Sequence, residues 1–286
     1  MSEEQGGAHA GRPTDANLPI GVFDSGIGGL TVVRALQECL PGEDILYFGD
    51  AARVPYGTKS PATVVRFTRE CVSFLSRRGI KLLVVACNTA SAVALPTLAR
   101  SLSVPIVGVI APGVAAALRK SRRQRIGVIG TEATIASGAY RLSLEQAGEG
   151  AVYEASCPLF VPLAEEGWVT GELPKLAARR YLAPLLEQGI DTLILGCTHY
   201  PLLRGVIVET VGNDVTLIDS GEEAARETAA RLTELHAAHP RRAGGRCTVF
   251  VSDHPRRFQE IGTAFLGKPL ESVVLVDQSD LPWYDR

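Results

Sequence analysis

The sequence predicts an α/β protein made of two pseudo-symmetric α/β domains with mainly parallel sheets and an active site in the cleft between them. Short apolar runs alternate with longer helical patterns along the chain, which is typical of parallel sheets covered by helices. Two of these runs, VVACNTASA at 84–92 and LILGCTHYPLL at 193–203, end abruptly in cysteine and small polar residues. With 286 residues, of which 46% are hydrophobic, the chain is long enough for two domains with separate cores.

The first part of the chain alternates four predicted strands with four predicted helices. The strands are 18–23, 45–48, 82–86 and 106–109, and the helices are 30–40, 61–78, 91–102 and 113–119. Pro41-Gly42 ends the first helix, and Gly79 ends the second. Pro96 lies inside the third helix and is expected to bend it.

The same pattern then begins again. Strands are predicted at 125–129, 151–156, 192–195 and 215–218, with a helix opened by the loop 130–134 and another at 173–187. A helix at 222–236, a strand at 248–251, a helix near 256–265 and a strand at 272–276 close the chain. IGVFDSGIGG and IGVIGTEAT share one layout, and VVACNTAS and LILGCTHY share another. This duplication predicts a first domain at 18–112 plus 222–278 and a second domain at 113–221. Residues 1–17 are predicted to be a disordered tail, and residues 279–286 a second tail.

Composition excludes several classes of protein. The formal net charge of −2 gives no indication of nucleic-acid binding. No apolar run reaches the ~18 residues of a membrane span, and residues 1–17 lack the apolar region of a secretory signal. We therefore expect a cytoplasmic protein without a membrane partner. Disulfides are not expected there, and Cys39, Cys71 and Cys247 are interpreted as packing residues.

Cys87 and Cys197 differ from the other cysteines because each follows a predicted buried strand. In open α/β sheets, ligands bind beyond the carboxyl ends of the strands. Two thiols facing one cleft can remove a proton from one face of a carbon centre and return a proton to the other face, which inverts the centre. Asp24 beside Cys87 and His199 beside Cys197 are the predicted helpers that hold or take a proton.

Further polar residues at the strand ends suit an amino-acid substrate with its carboxylate and ammonium. Ser25, Asn88, Thr89 and Thr198 carry hydroxyl or amide groups at these positions. Tyr56-Gly57 lies in a turn-rich loop that is expected to close over the cleft. Asp50 is either a helper in the cleft or a cap for the loop that follows it.

Six motifs together resemble those of one family. They are FDSGIGGLTV at 23–32, GDAARVPYGTKS at 49–60, ACNTASA at 86–92, IGVIGTEAT at 126–134, CPLFVPLAEEG at 157–167 and GCTHYPLL at 196–203. The chain resembles the glutamate racemase family of the cofactor-independent aspartate/glutamate racemase superfamily. The resemblance covers about residues 18–270.

The resemblance implies roles for residues at matching positions. Cys87 would handle the proton of D-glutamate and Cys197 that of L-glutamate. Asp24 and His199 would assist them, and Glu165 would be a further acid, favoured over Glu166 by the register of VPLAE. The implied substrate contacts are Asp24, Ser25, Pro55, Tyr56, Gly57, Asn88, Thr89, Thr131, Thr134, Thr198 and His199.

The resemblance also implies properties of the whole protein. Members use no pyridoxal phosphate and no metal, supply D-glutamate for peptidoglycan, and are usually homodimers. Some members are reported to inhibit DNA gyrase, and no feature of this sequence encodes such an interaction.

Several other interpretations remain open at this level. The two thiols could be buried packing groups, or Cys87, Cys197, His199 and Asp24 could bind zinc. Lys59 is the candidate for a pyridoxal phosphate Schiff base. DSGIGG lacks the G-x-G-x-x-G spacing of a dinucleotide loop. A racemase of another acidic amino acid such as aspartate, or a regulatory binding protein on the same scaffold, is the functional alternative.

Overall fold

A computed structural model describes residues 15–100, 102–148 and 150–277 of the chain. Within these ranges, ten strands form two parallel sheets. The strands are β1 Ile20–Asp24, β2 Ile45–Gly49, β3 Leu82–Val85, β4 Ile106–Gly108, β5 Arg125–Gly130, β6 Ala151–Ser156, β7 Thr192–Gly196, β8 Thr216–Asp219, β9 Cys247–Val251 and β10 Val273–Leu275. The α/β fold class with parallel sheets is therefore confirmed.

Helices cover the sheets. They are α1 Leu30–Cys39, α2 Pro61–Ser76, α3 Asn88–Val93, α4 Leu95–Leu98, α5 Ile110–Lys120, α6 Glu132–Ala136, α7 Ala139–Ala147, α8 Phe160–Glu165, α9 Glu172–Glu187, α10 Arg204–Val211, α11 Ser220–Glu234 and α12 Pro255–Leu266. The strands β1, β3 and β7 are buried at every residue, because helices pack on both faces of each sheet.

The first sheet has the strand order β10-β9-β2-β1-β3-β4, and the second has the order β6-β5-β7-β8. The chain leaves the first sheet after β4, builds the whole second sheet, and returns through α11, which packs on α1 and α5. The strands β9 and β10 then complete the first sheet beside β2. This distribution supports the domain boundaries 18–112 plus 222–278 and 113–221, which stay a prediction.

Proline explains the largest difference from the predicted helices. The segment predicted as one bent helix, 91–102, forms two short helices, α3 and α4, that meet at Ala94. Pro96 has no N–H to donate, and its ring clashes with the carbonyl four residues earlier. The helix α5 begins at Ile110, before the predicted 113, with Pro112 in its first turn, where the N–H is not needed. The helices α8 and α10 were not predicted.

The predicted tails lie mostly outside the described residues, which exclude 1–14 and 278–286. The last residues of the first tail are described, and the carbonyl oxygen of Ala16 accepts a hydrogen bond from Lys81 Nζ at 2.8 Å. The interpretation of Cys39 as a packing residue is wrong, because it is exposed at the end of α1, whereas Cys71 is buried and Cys247 partly buried. No helix in the described ranges is long and apolar enough to cross a membrane.

Candidate active site

Cys87 lies just beyond β3 and occupies the N-cap position of α3. Its Sγ accepts a hydrogen bond from Ala90 N at 3.4 Å and donates one to Ser25 Oγ at 3.2 Å. Ser25 directly follows β1, which is the neighbour of β3 in the sheet. Because parallel strands end at the same edge, the sheet itself brings these two side chains together.

Cys197 lies directly beyond β7, at the corresponding edge of the second sheet. Both thiols line one cavity between the two sheets, with a volume of about 50 Å³. This is far below the ~300–1,000 Å³ of drug-sized ligand sites, so the cleft is closed around a small space. The lining residues are Ser25, Gly26, Val54, Pro55, Tyr56, Gly57, Cys87, Asn88, Thr89, Thr131, Val161, Glu165, Cys197, Thr198 and His199.

Two of the predicted site residues do not line this cavity. Asp24 and Thr134 are both buried, and neither belongs to the cavity wall. A second cavity of about 250 Å³ adjoins the first and shares its residues Gly26, Val54 and Glu165. The helix α12 contributes to the wall of this outer cavity.

An imidazole links Cys197 to a carboxylate. His199 Nδ1 lies 3.9 Å from Cys197 Sγ, and His199 Nε2 lies 2.9 Å from Glu165 Oε1. Burial alone would lower the pKa of His199, but the hydrogen bonds to Cys197 and Glu165 raise this pKa to about 10. His199 therefore carries a proton at neutral pH, within reach of the thiol.

The adjacent carboxylates Glu165 and Glu166 point to different partners. Glu165 ends α8 and lines the cavity beside His199. Glu166 lies outside, with an exposed side chain and its Oε1 at 3.8 Å from Arg257 Nη2 of α12. The imidazole thus contacts the first residue of the doublet.

Asp24 is the ionisable group near Cys87. One of its carboxylate oxygens, Oδ2, accepts a hydrogen bond from Gly26 N at 2.9 Å, and Oδ1 is buried without a hydrogen-bond partner. Burial raises the pKa of Asp24, although the positive charge of His199 and backbone N–H groups oppose this. Burial and the nearby Asp24 also raise the pKa of the Cys87 thiol to about 12. The Cys87 side therefore favours protonated groups.

The loop between β2 and α2 forms one wall of the cavity through Val54, Pro55, Tyr56 and Gly57. Its anchor is Asp50. The hydroxyl of Tyr56 donates to Asp50 Oδ2 at 2.5 Å, and Ser252 Oγ donates to Asp50 Oδ1 at 2.9 Å. Of the two roles considered for Asp50, neither is quite right. It does not line the cavity, and it makes no side-chain cap hydrogen bond. Instead Asp50 holds the loop through its hydrogen bonds with the side chains of Tyr56 and Ser252.

Three threonine hydroxyls join the two sheets on another side of the cavity. Thr89 Oγ1 lies 3.0 Å from Thr131 Oγ1 and 3.1 Å from Thr134 Oγ1. Thr89 belongs to α3, whereas Thr131 caps α6 by accepting from Thr134 N. Gly57 packs so closely here that an added Cβ would lie 2.7 Å from Thr131 Cβ. The loop, α3 and α6 therefore meet at this point.

The metal and cofactor alternatives find little support in the donor groups present. Among the described residues, no group of three or more His, Cys, Asp or Glu side chains is arranged to hold a metal ion. The lining of the cavity includes no lysine, and Lys59 lies outside it. The titratable groups at the cavity are two thiols, an imidazole, a carboxylate and the phenol of Tyr56.

The family model for Asp/Glu/Hydantoin racemases matches residues 20–228. The chain belongs to this family. The glutamate racemase of Geobacter metallireducens is 55% identical over 258 residues, which cover 90% of this chain and 96% of that relative. The chain is therefore similar along nearly its whole length to a member named for glutamate.

Solved structures of other family members agree with this. The glutamate racemase from Francisella tularensis in complex with D-glutamate has a TM-score of 0.86 at 39% identity, covering 94% of this chain and all of that one. The aspartate racemase of Picrophilus torridus has a TM-score of 0.52 at 20% identity, covering 76% of this chain and 94% of that one. The latter likeness shows the fold alone.

Gly28, Val161 and Phe265 are among the residues near the site of this racemase family member that were not found from the sequence. Gly28 packs against the Cys197 loop so closely that an added Cβ would lie 2.2 Å from Thr198 Oγ1. Val161 of α8 lines the cavity, and the ring of Phe265 from α12 meets the His199 ring edge-on at 5.1 Å. The glycine-rich motif signals the first, whereas α8 and α12 reach the site only through the tertiary fold.

Proposed function

We propose that the protein is a glutamate racemase, which interconverts L-glutamate and D-glutamate by proton transfer between two cysteines. The observation that carries this proposal is that Cys87 and Cys197 line one small cavity from two different sheets. Inversion of a carbon centre without oxidation requires a base on one face and an acid on the other. The ends of β3 and β7 supply these groups, one from each sheet.

In the reaction, the thiolate of one cysteine takes the α-proton, and the electron pair of the C–H bond remains on the substrate as a carbanion. The thiol of the other cysteine gives its proton to the opposite face. Following the family resemblance, Cys197 takes the proton of L-glutamate and Cys87 that of D-glutamate. After each turnover, the protonation states of the two cysteines are exchanged.

On the Cys197 side, His199 and Glu165 manage the proton. The imidazolium, held by the carboxylate at 2.9 Å, places a positive charge beside the sulfur of Cys197. It can also return a proton to the thiolate through Nδ1, which faces the sulfur at 3.9 Å. Glu165 orients the ring by fixing Nε2.

On the Cys87 side, Asp24 controls ionisation. As a carboxylate, Asp24 opposes formation of the Cys87 thiolate. Its own raised pKa allows it to hold a proton, which removes that repulsion. Ser25 Oγ and Ala90 N then contact the sulfur and stabilise its negative charge.

Binding of the substrate falls to the polar groups around the two thiols. The proposed contacts are Asp24, Ser25, Pro55, Tyr56, Gly57, Asn88, Thr89, Thr131, Thr134, Thr198 and His199, of which all but Asp24 and Thr134 line the cavity. No coenzyme is required by this mechanism, because both proton transfers use groups of the chain.

The test is incubation of the purified protein with L-glutamate in heavy water, without added cofactor. We expect optical activity to decay to zero while NMR shows replacement of the α-proton by deuterium. L-aspartate is the matched comparison, and we expect it to react far more slowly. If L-aspartate racemises and L-glutamate does not, the substrate assignment is wrong. If neither reacts, the racemase function is wrong.

The same proposal extends to the cell. We place the enzyme in the cytoplasm, where it supplies D-glutamate for peptidoglycan, so depletion in a bacterium should be rescued by D-glutamate in the medium.

We also propose a homodimer. The exposed apolar side chains of Trp168, Leu173 and Leu176 around the start of α9 support an interface there. A mass measurement by light scattering tests the dimer, and a monomeric mass would contradict it.

A further inference from the structure

A buried chain of hydrogen bonds reaches the cavity from behind and is not used by the two-thiol mechanism. Its centre is Tyr140 of α7, which is completely buried. Asn88 Nδ2 donates to Tyr140 Oη at 2.8 Å, and Tyr140 Oη lies 3.0 Å from Ser220 Oγ. Ser220 Oγ in turn donates to Leu195 O at 2.9 Å. These hydrogen bonds therefore connect Leu195 of β7 to Asn88, the residue that follows Cys87.

The carbonyl oxygen of Leu195 determines which group donates and which accepts in each of these hydrogen bonds. The carbonyl oxygen of Leu195 can only accept, so the hydroxyl proton of Ser220 points to it. Ser220 Oγ must then accept from Tyr140, whose single proton is used in this bond. Tyr140 Oη can therefore only accept from Asn88, and the group of Asn88 that faces it is the NH₂ group.

Tyr140 keeps the proton that this arrangement needs. Burial raises the pKa of Tyr140 to about 12, although the hydrogen bonds with Ser220 and Asn88 act in the opposite direction. The phenol therefore stays neutral over the pH range of an ordinary assay, and the order of donors and acceptors does not change with pH there.

The remaining polar atom of the Asn88 side chain is the amide oxygen, and Asn88 lines the cavity between the two thiols. We propose that Tyr140 is a positioning residue that fixes the Asn88 amide so that its oxygen accepts a hydrogen bond from the substrate's ammonium group. The inference rests on the proposed function, because it assigns one contact of the glutamate substrate. Both carboxylates of glutamate only accept hydrogen bonds, and its ammonium is the group that donates them.

The link also joins the two sheets. Asn88 follows the first sheet's β3, whereas Tyr140 belongs to a helix that packs on the second sheet. Ser220 lies where the chain returns from the second sheet to α11. The orientation of the Asn88 amide thus depends on the correct approach of the two halves of the molecule.

The hydrogen bond can be tested without any activity measurement. The sequence contains three asparagines, Asn17, Asn88 and Asn213, of which Asn17 and Asn213 are exposed. Labelling with asparagine that carries ¹⁵N in its side-chain amide therefore gives three ¹⁵N resonances in NMR, each with two bonded protons. We expect one signal with slow hydrogen exchange, and we expect Tyr140→Phe, which keeps the ring, to speed that exchange at least tenfold. Unchanged exchange would overturn the positioning role.

Kinetics test the assignment to the ammonium group. Tyr140→Phe should raise KM for L- and D-glutamate about tenfold and leave kcat within twofold, because the contact is equal in the bound substrate and the transition state. Ser220→Ala should act in the same direction, since it frees Tyr140 to donate to Asn88. Tyr181→Phe, which removes a hydroxyl that accepts a hydrogen bond from Leu159 N away from the cavity lining, is the matched control and should change neither constant.

Glutarate, which lacks the ammonium group, completes the design. Its inhibition constant should be the same for wild-type protein and Tyr140→Phe. If glutarate loses affinity as much as glutamate does, or if kcat falls with KM unchanged, the ammonium assignment is overturned. A wild-type protein that does not racemise glutamate refutes the proposed function instead, and the NMR comparison still decides whether Tyr140 positions Asn88.

Discussion

Replacement of Glu165 by glutamine removes a negative charge while keeping the size of the side chain. Glu165 Oε1 lies 2.9 Å from His199 Nε2, and this contact is one of the causes of the raised His199 pKa. The neighbouring Glu166 is the matched control, because it has the same chemistry and contacts Arg257 at 3.8 Å outside the cavity. Comparison of Glu165→Gln with Glu166→Gln separates the effect of the Glu165–His199 contact from the effect of losing a negative charge nearby.

The expected magnitude follows from the exposure of the pair. A hydrogen bond between charged groups contributes ~1.5–3 kcal/mol. The Glu165 side chain is 36% exposed, and solvent therefore screens the interaction. We take the lower end, about 1.5 kcal/mol, which corresponds to slightly more than a factor of ten. Glu165→Gln should thus lower the proton affinity of His199 about tenfold and kcat/KM for glutamate by a similar factor.

The assay measures racemisation from each enantiomer separately. Because enantiomers have equal free energies, kcat/KM must fall by the same factor in both directions, which provides an internal check. An NMR titration of the His199 ring should show a pKa below the wild-type value of about 10. The reasoning is refuted if Glu165→Gln keeps kcat/KM within twofold of wild type, or if Glu166→Gln reduces it as much.

Three other outcomes follow from the structure. Cys87→Ser and Cys197→Ser should each reduce racemisation at least a thousandfold, about 4 kcal/mol in the barrier, whereas the exposed Cys39→Ser should not; near-normal rates in either cavity variant would contradict the two-thiol mechanism. Because the His199 pKa is raised from 6.5 to about 10, its contribution to stability is full below pH 6.5 and is lost as the pH rises through 10. The midpoint of unfolding should therefore decrease as the pH rises from 6.5 to 10, and this decrease should be smaller for His199→Asn. Gly205→Ala in α10, where an added Cβ meets no atom within 4 Å, should stabilise the fold by roughly 0.5–1 kcal/mol in denaturant unfolding; destabilisation would contradict the open space at that position.

Local chemistry was sufficient to predict most of the fold. Strands buried on both faces are continuous apolar runs in sequence, so β3 and β7 were located together with the cysteines that follow them. Proline and glycine marked helix ends at Pro61 and Gly79, where the structure has the start of α2 and the turn after it. These signals act over a few residues and do not depend on the rest of the chain.

What was missed depends on packing between distant segments. The helix α8 is six residues long and contains Pro162, so its pattern is too short to recognise, yet it carries Val161 and Glu165 into the cavity. From its place after β2, Asp50 was predicted to be either a helper in the cleft or a cap for the loop that follows. Its partners are Arg53 and Tyr56 in the loop that follows and Ser252, which is 202 positions away in sequence. Tyr140 had no local signal at all.

The discontinuous first sheet has a consequence for how the chain folds during synthesis. The second sheet uses a continuous stretch and can close as soon as β8 has been made, whereas β2 keeps an unpaired edge until β9 appears. Both thiols are by then long present in the nascent chain. The cavity wall must still wait, because Asp50 gains its partner Ser252 just after β9. Completion of the cavity wall is therefore one of the last steps in folding during synthesis.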